Sequence, residues 1–155
     1  MPIVSEGKKI PAFSAEATSS KEIESKNLLG RPVVLYFYPK DSTPGCTREG
    51  EDFRDNYQRF RKKKVAIFGI SRDNLNSHEK FKTKYKFPFE LISDTDEKLC
   101  KLFDVIKEKS MYGKKYLGVE RSTFLIDAQG VLRKEWRGVK VKGHVEDVLN
   151  AVKEL

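Results

Sequence analysis

Val33-Val34-Leu35-Tyr36-Phe37-Tyr38 is an unbroken run of β-branched, aliphatic and aromatic residues, with Gly30 and Pro32 ahead of it and Pro39 behind. A run so short and so apolar predicts a strand buried on both faces. After the loop from Pro39 to Gly45, Phe53, Tyr57 and Phe60 recur at helical spacing, which predicts a helix from near Cys46 to Lys62. Val65-Ala66-Ile67-Phe68-Gly69-Ile70 then repeats the strand signal. Strand, helix and strand at this length make a βαβ unit with parallel strands and a right-handed crossover.

Upstream of this unit, Phe13, Ala15 and Ala17 alternate with Ser14, Glu16 and Thr18, as in a short half-exposed strand. Downstream, a helix is expected from Asn76 or Ser77 with Phe81 and Tyr85 on one face, then a short strand at Phe89-Glu90-Leu91-Ile92. Asp94 and Glu97 have the spacing of a capping box for a helix carrying Leu99, Leu102 and Phe103. Ser122 to Ile126 and Val131 to Trp136, joined through Asp127-Ala128-Gln129-Gly130, predict a β-hairpin. Val145, Val148, Leu149 and Val152 give an amphipathic final helix, while Tyr112-Gly113 and Tyr116-Leu117-Gly118 read as loop. The order implies an α/β sandwich around a mixed central sheet.

Composition narrows the function classes. At 155 residues, with 38% hydrophobic residues and 10 Phe, 6 Tyr and 1 Trp, the chain is expected to fold as a single domain over 1–155. Two cysteines without a CxxC exclude a disulfide scaffold and a zinc finger. No apolar stretch is long enough for a membrane helix and the N-terminus lacks the pattern of a signal peptide, so a reducing cytoplasm is the expected compartment. The net charge of +8 invites a nucleic-acid reading, but the basic residues are scattered. The dense run Arg61-Lys62-Lys63-Lys64 falls where a helix should end, and cations there complement the dipole. No specific nucleic-acid partner is expected. His78 and His144 stand far apart without ligand-type residues at helical spacing, and neither a GxGxxG fingerprint nor a P-loop occurs, so neither a metal nor a nucleotide cofactor is expected.

The chemistry concentrates at Cys46. It follows a central strand and opens the next helix, where α/β sheets usually place ligands and where free backbone N–H groups favour an anion. A thiol with a pKa of ~8.5 is only about 3% ionised at neutral pH, and lowering that pKa to ~6 takes ~3.4 kcal/mol. A helix terminus supplies ~0.3–1 kcal/mol, so a cation and further donors are needed. Arg121, at the start of the hairpin, is the candidate cation, and Thr43 the candidate donor.

Pro39-Lys40-Asp41-Ser42-Thr43-Pro44-Gly45-Cys46 matches the PxxxTxxC signature of peroxiredoxins. With Tyr36-Phe37-Tyr38 before it and Glu120-Arg121-Ser122-Thr123-Phe124-Leu125-Ile126-Asp127 later, the chain resembles the peroxiredoxin Q or bacterioferritin comigratory protein branch from about Phe13 onward. The resemblance implies a thioredoxin-like fold with the family's N-terminal extension. It also implies reduction of hydrogen peroxide and organic hydroperoxides by a thiolate at Cys46, which becomes a sulfenic acid. The family roles fall on Thr43 to hold the peroxide, on Pro39 to shield the thiolate, and on Arg121 to stabilise thiolate and transition state. No cofactor is implied. A monomer is expected, with a dimer as the alternative.

The sequence departs from the branch at resolution. Glu51 stands where many members carry a resolving cysteine five residues on, and the segment from Asn74 to Phe87 contains none. Cys100 alone remains, in a helical pattern that suits a small buried hydrophobe. Either Cys100 resolves the cycle, or a disulfide forms between chains, or an external thiol such as glutathione, thioredoxin, glutaredoxin or another small thiol attacks the Cys46 sulfenic acid, and the last is preferred. A redox relay and a basic binding module without turnover are the competing functions.

Overall fold

The structure is a computed structural model and describes residues 4–155. The chain begins with a hairpin of β1 (Ser14–Ala17) and β2 (Lys21–Glu24). The expected run Val33 to Tyr38 gives β3 (Val33–Phe37), every residue of which is buried. Helices α1 (Pro44–Asp55) and α2 (Tyr57–Lys62) lead to β4 (Ala66–Ser71), parallel to β3 with Val33 opposite Ala66 and Phe37 opposite Ile70. Then come α3 (Leu75–Tyr85), β5 (Glu90–Ser93), α4 (Lys98–Leu102), β6 (Ile106–Met111), β7 (Lys114–Val119), β8 (Ser122–Ile126), β9 (Leu132–Arg137) and α5 (His144–Lys153).

Seven strands form one mixed sheet in the order β2-β1-β5-β4-β3-β8-β9, with β3, β4 and β5 parallel and the outer pairings antiparallel. The pleat of β3 divides the core in two. Val33, Leu35 and Phe37 face a cluster with Leu99, Cys100, Phe103 and Phe124. Val34, Tyr36 and Tyr38 face the opposite cluster, where α1, α2, α3 and α5 contribute Cys46, Phe53, Phe60, Phe81 and Leu149. The chain thus has the thioredoxin-like peroxiredoxin fold, a mixed sheet flanked by helices.

Three local expectations need correction, and one strand was not expected at all. The single helix from Cys46 to Lys62 is two helices, interrupted at Asn56, whose side-chain amide donates to the Asp52 carbonyl at 2.8 Å and competes with the helical ladder. Asp94 and Glu97 do not form a capping box. The Asp94 carboxylate accepts from the Leu99 and Cys100 amides at 2.9 and 2.8 Å, while Glu97 takes a left-handed backbone and pairs with Arg72. The segment read as loop at 112–118 is the tip and second strand of the hairpin β6–β7, which stands apart from the main sheet. Strand β2 carried no visible signal, because Lys-Glu-Ile-Glu at a sheet edge buries only Ile23.

Candidate active site

Antiparallel pairing puts Ser122 of β8 opposite Phe37 of β3, so Arg121 arrives level with the end of β3, where the loop Pro39–Thr43 begins. That loop turns through Ser42 in a left-handed backbone, φ 64°. A non-glycine residue there costs on the order of 1 kcal/mol and is held only by well-determined surroundings. Thr43 caps α1 with an extended backbone, and its hydroxyl donates to the Lys40 carbonyl at 2.8 Å rather than back into the helix. That leaves the hydroxyl oxygen able to accept. Pro44 starts the helix, where a missing N–H is harmless. Cys46 therefore lies in the first turn, at the positive end of the dipole.

Cys46 is only 2% exposed, and Arg121 Nη2 reaches its Sγ at 3.4 Å. Gly45 makes room for this approach, since a Cβ there would lie 3.1 Å from the same nitrogen. Arg121 Nη1 donates to Glu49 Oε1 at 2.7 Å. Burial pushes the Glu49 carboxyl up to about 7 although Arg121 pulls it down, and its Oε2 has no partner. Burial works against the Arg121 charge, but Glu49 and Cys46 together hold the guanidinium above its usual value. Burial, reinforced by Glu49 and Cys46, raises the Tyr36 phenol well above its ordinary range, so it stays protonated. Lys109 of β6, bonded to the Val119 carbonyl at 2.6 Å, adds a second cation, whose affinity for its proton is lowered by burial and by Arg121.

Of the residues singled out in the sequence, Cys46 and Arg121 meet directly, Thr43 caps the helix that carries the cysteine, and Pro39 is half-buried at the root of the loop. Cys100 is elsewhere. It belongs to the core cluster on the other face of the sheet from Cys46. Burial, with the Asp94 carboxylate beside it, pushes its thiol far above the usual range. Glu49 was not anticipated. Its signal was available, because an acid one turn after Cys46 and four residues before Phe53 lies on the buried stripe of the helix and needs a cation.

His78 also has partners that helical spacing could not show. Asp41, Asp73 and His78 bring ligand-type atoms within 4.8 Å of one another, the one such group among the described residues. Those oxygens already accept from Tyr38, Ser77, Ser71 and the Asp41 amide, which makes the group a hydrogen-bond network rather than an ion cage.

A cysteine sulfur under a guanidinium at a helix start is the geometry of a nucleophilic thiolate. The family model described as AhpC/TSA matches residues 6–135. The chain is 46% identical to peroxiredoxin Bcp of Bacillus subtilis, over 96% of this chain and 95% of that protein. It is 56% identical to peroxiredoxin Bcp of Xanthomonas campestris, over 80% of this chain and 78% of that one. Its backbone superposes on a cysteine-to-serine mutant of Xylella fastidiosa PrxQ with a TM-score of 0.93 at 40% identity, covering 99% and 98% of the two chains. The chain belongs to the AhpC/TSA family, within its peroxiredoxin Q or bacterioferritin comigratory protein branch.

Proposed function

We propose that this thiol-dependent peroxidase runs its cycle on Cys46 alone, with an external thiol closing it. The observation that carries the reading is the 3.4 Å contact between Arg121 Nη2 and the Cys46 sulfur, beside a second cysteine on the other face of the sheet. The thiolate attacks one peroxide oxygen. An S–O bond forms as the O–O bond breaks, the sulfur gives up two electrons, and the departing oxygen leaves as water or alcohol after taking a proton. Arg121 faces the charge that passes from sulfur to the leaving oxygen, and the Thr43 hydroxyl holds the peroxide in line. Pro39 keeps water from the sulfur.

The sulfenic acid is then attacked by an external thiol, releasing water and leaving a mixed disulfide that a second thiol reduces. Thioredoxin, glutaredoxin and small thiols all fit this chemistry. Structures of the Xanthomonas campestris relative are described in terms of alkyl peroxide reduction, and the same substrate class is proposed here alongside hydrogen peroxide. No helix among the described residues is long and apolar enough to cross a membrane. A cytoplasmic location belongs to the proposal because the cycle draws on a standing supply of reduced thiol, which that compartment maintains.

The test is stopped-flow oxidation of the reduced protein followed by intact mass, for wild type, Cys46→Ser and Cys100→Ser. Fast oxidation lost only in Cys46→Ser, ending as a sulfenic or over-oxidised species, is expected. Loss of two hydrogens in the wild type but not in Cys100→Ser would make Cys100 the resolving thiol instead.

A further inference from the structure

His78 lies next to the loop that carries Thr43, yet the chemistry above leaves it unused. Its side chain is fully buried on α3. Nδ1 lies 2.7 Å from Asp41 Oδ2, and Nε2 lies 3.0 Å from the Ile92 carbonyl of β5. Neither a carboxylate nor a carbonyl can donate, so both ring nitrogens are placed to carry a hydrogen. The other neighbour of Nε2, Ser71 Oγ at 3.5 Å, offers no donor either, because its hydroxyl points to Asp73. Asp41 in turn accepts from the Tyr38 hydroxyl at 2.7 Å and the Ser77 hydroxyl at 2.8 Å as well as from His78. A carboxyl receiving three donors is best satisfied as the anion.

We infer that His78 is an imidazolium in a buried ion pair with Asp41, and that this pair positions the loop Pro39–Thr43 for the peroxide step. The inference rests on Cys46 being the nucleophile. The groups facing the ring are Asp41 from the loop, Tyr38 at the end of β3, Ser71 and Asp73 at the end of β4, Ser77 on α3 and the Ile92 carbonyl. Among the described residues, His78 is the cation that pairs with Asp41. Asp41 is tied a second time, by its amide to the Asp73 carboxylate at 2.9 Å. The next residue is Ser42, whose left-handed backbone persists only where its neighbours over-determine it, and the one after is Thr43. Holding Asp41 therefore fixes the entry to α1 and with it the alignment of hydroxyl and sulfur.

Cys46 is 2% exposed with the loop so held, so an incoming thiol needs the loop and the first turn of α1 to open. Releasing the loop should slow the first half-reaction and speed the second, a split that a general loss of packing would not produce. His78→Gln and Asp41→Asn, checked for native near-UV circular dichroism, are assayed for both halves. The peroxide step is expected to fall roughly 10–100-fold, since small misplacements of reacting groups are expensive. Reaction of the preformed sulfenic acid with dithiothreitol is expected to hold or rise. A peroxide step within twofold of wild type, or both steps falling together, overturns the proposal. If the variants do not fold, ¹⁵N NMR of the wild-type imidazole decides: hydrogens on both ring nitrogens at pH 7 support the pair, and a neutral tautomer overturns it. A wild type slow with peroxide, or Cys46→Ser still reacting fast, would instead sink the Cys46 reading and leave the NMR result untouched.

Discussion

Burying a carboxylate one helical turn from a nucleophilic sulfur works against the thiolate unless a cation stands between them. Arg121 stands there, giving one guanidinium nitrogen to Glu49 and the other to Cys46. Its removal deletes a donor and leaves the Glu49 carboxyl facing the sulfur: Arg121→Met is expected to lower kcat/KM for peroxide by at least about 10²–10³-fold, the scale of losing one preorganised donor, measured by competition against a reference peroxidase. In the proposed mechanism Thr43 acts through its hydroxyl. Thr43→Ser should stay within a few-fold of wild type, whereas Thr43→Val should lose about 10²-fold in the same assay. At this scale the sequence was informative where a residue sits in a motif, as Cys46, Thr43 and Arg121 do. It placed Glu49 on the buried stripe of its helix without naming the partner, and was silent on the Asp41–His78 pair, because the partner of a buried acid or histidine comes from another element.

Helix α1 sets its position by a close approach that a side chain would block. A Cβ on Gly50 would lie 2.5 Å from the Phe87 ring, and that ring is stacked on Phe89 and edged by Phe81, so it has nowhere to go. Gly50→Ala is thus expected to destabilise by ~1–3 kcal/mol despite its better helix propensity, read from the urea midpoint, and to slow peroxide reduction by tilting the turn that carries Cys46. The central strands and their helices were legible because apolar residues recur with the period of each element. The hairpin β6–β7 was not: its strands alternate only among Lys, Glu, Ser and Tyr over most of their length, and its tip packs neither face into a core, leaving Tyr112 and Leu117 98% and 65% exposed. Periodicity reports a boundary between water and core, and a ribbon with water on both sides has none.

Two buried titrating groups give the whole molecule opposing responses to acid. Glu49, raised from 4.5 to about 7 by burial, is protonated more readily in the folded chain, so its stabilising share is full below pH 4.5 and fades as pH rises through 7. His144, lowered from 6.5 to about 4 by burial against Phe53 and Trp136, is neutral when folded, so its share is full above pH 6.5 and fades as pH falls through 4. Each displacement is worth about 3 kcal/mol, and between about pH 4.5 and 6.5 the two slopes nearly cancel. Glu49→Gln should unmask the histidine, making stability rise with pH across that window, and His144→Gln should make it fall. Denaturant titrations at successive pH values read both signs.

The sheet that parts Cys46 from Cys100 also decides where oxidation can go. With its second thiol on the far face beside Asp94, a chain that runs the proposed one-cysteine cycle has no internal place to park an oxidising equivalent, so each turnover exports it to another molecule. The lifetime of the sulfenic acid is then set by the surrounding thiol supply, and a second peroxide arriving first carries the sulfur irreversibly to sulfinic acid. Such a chain gauges the ratio of peroxide to thiol rather than peroxide alone, and it silences itself when that ratio climbs.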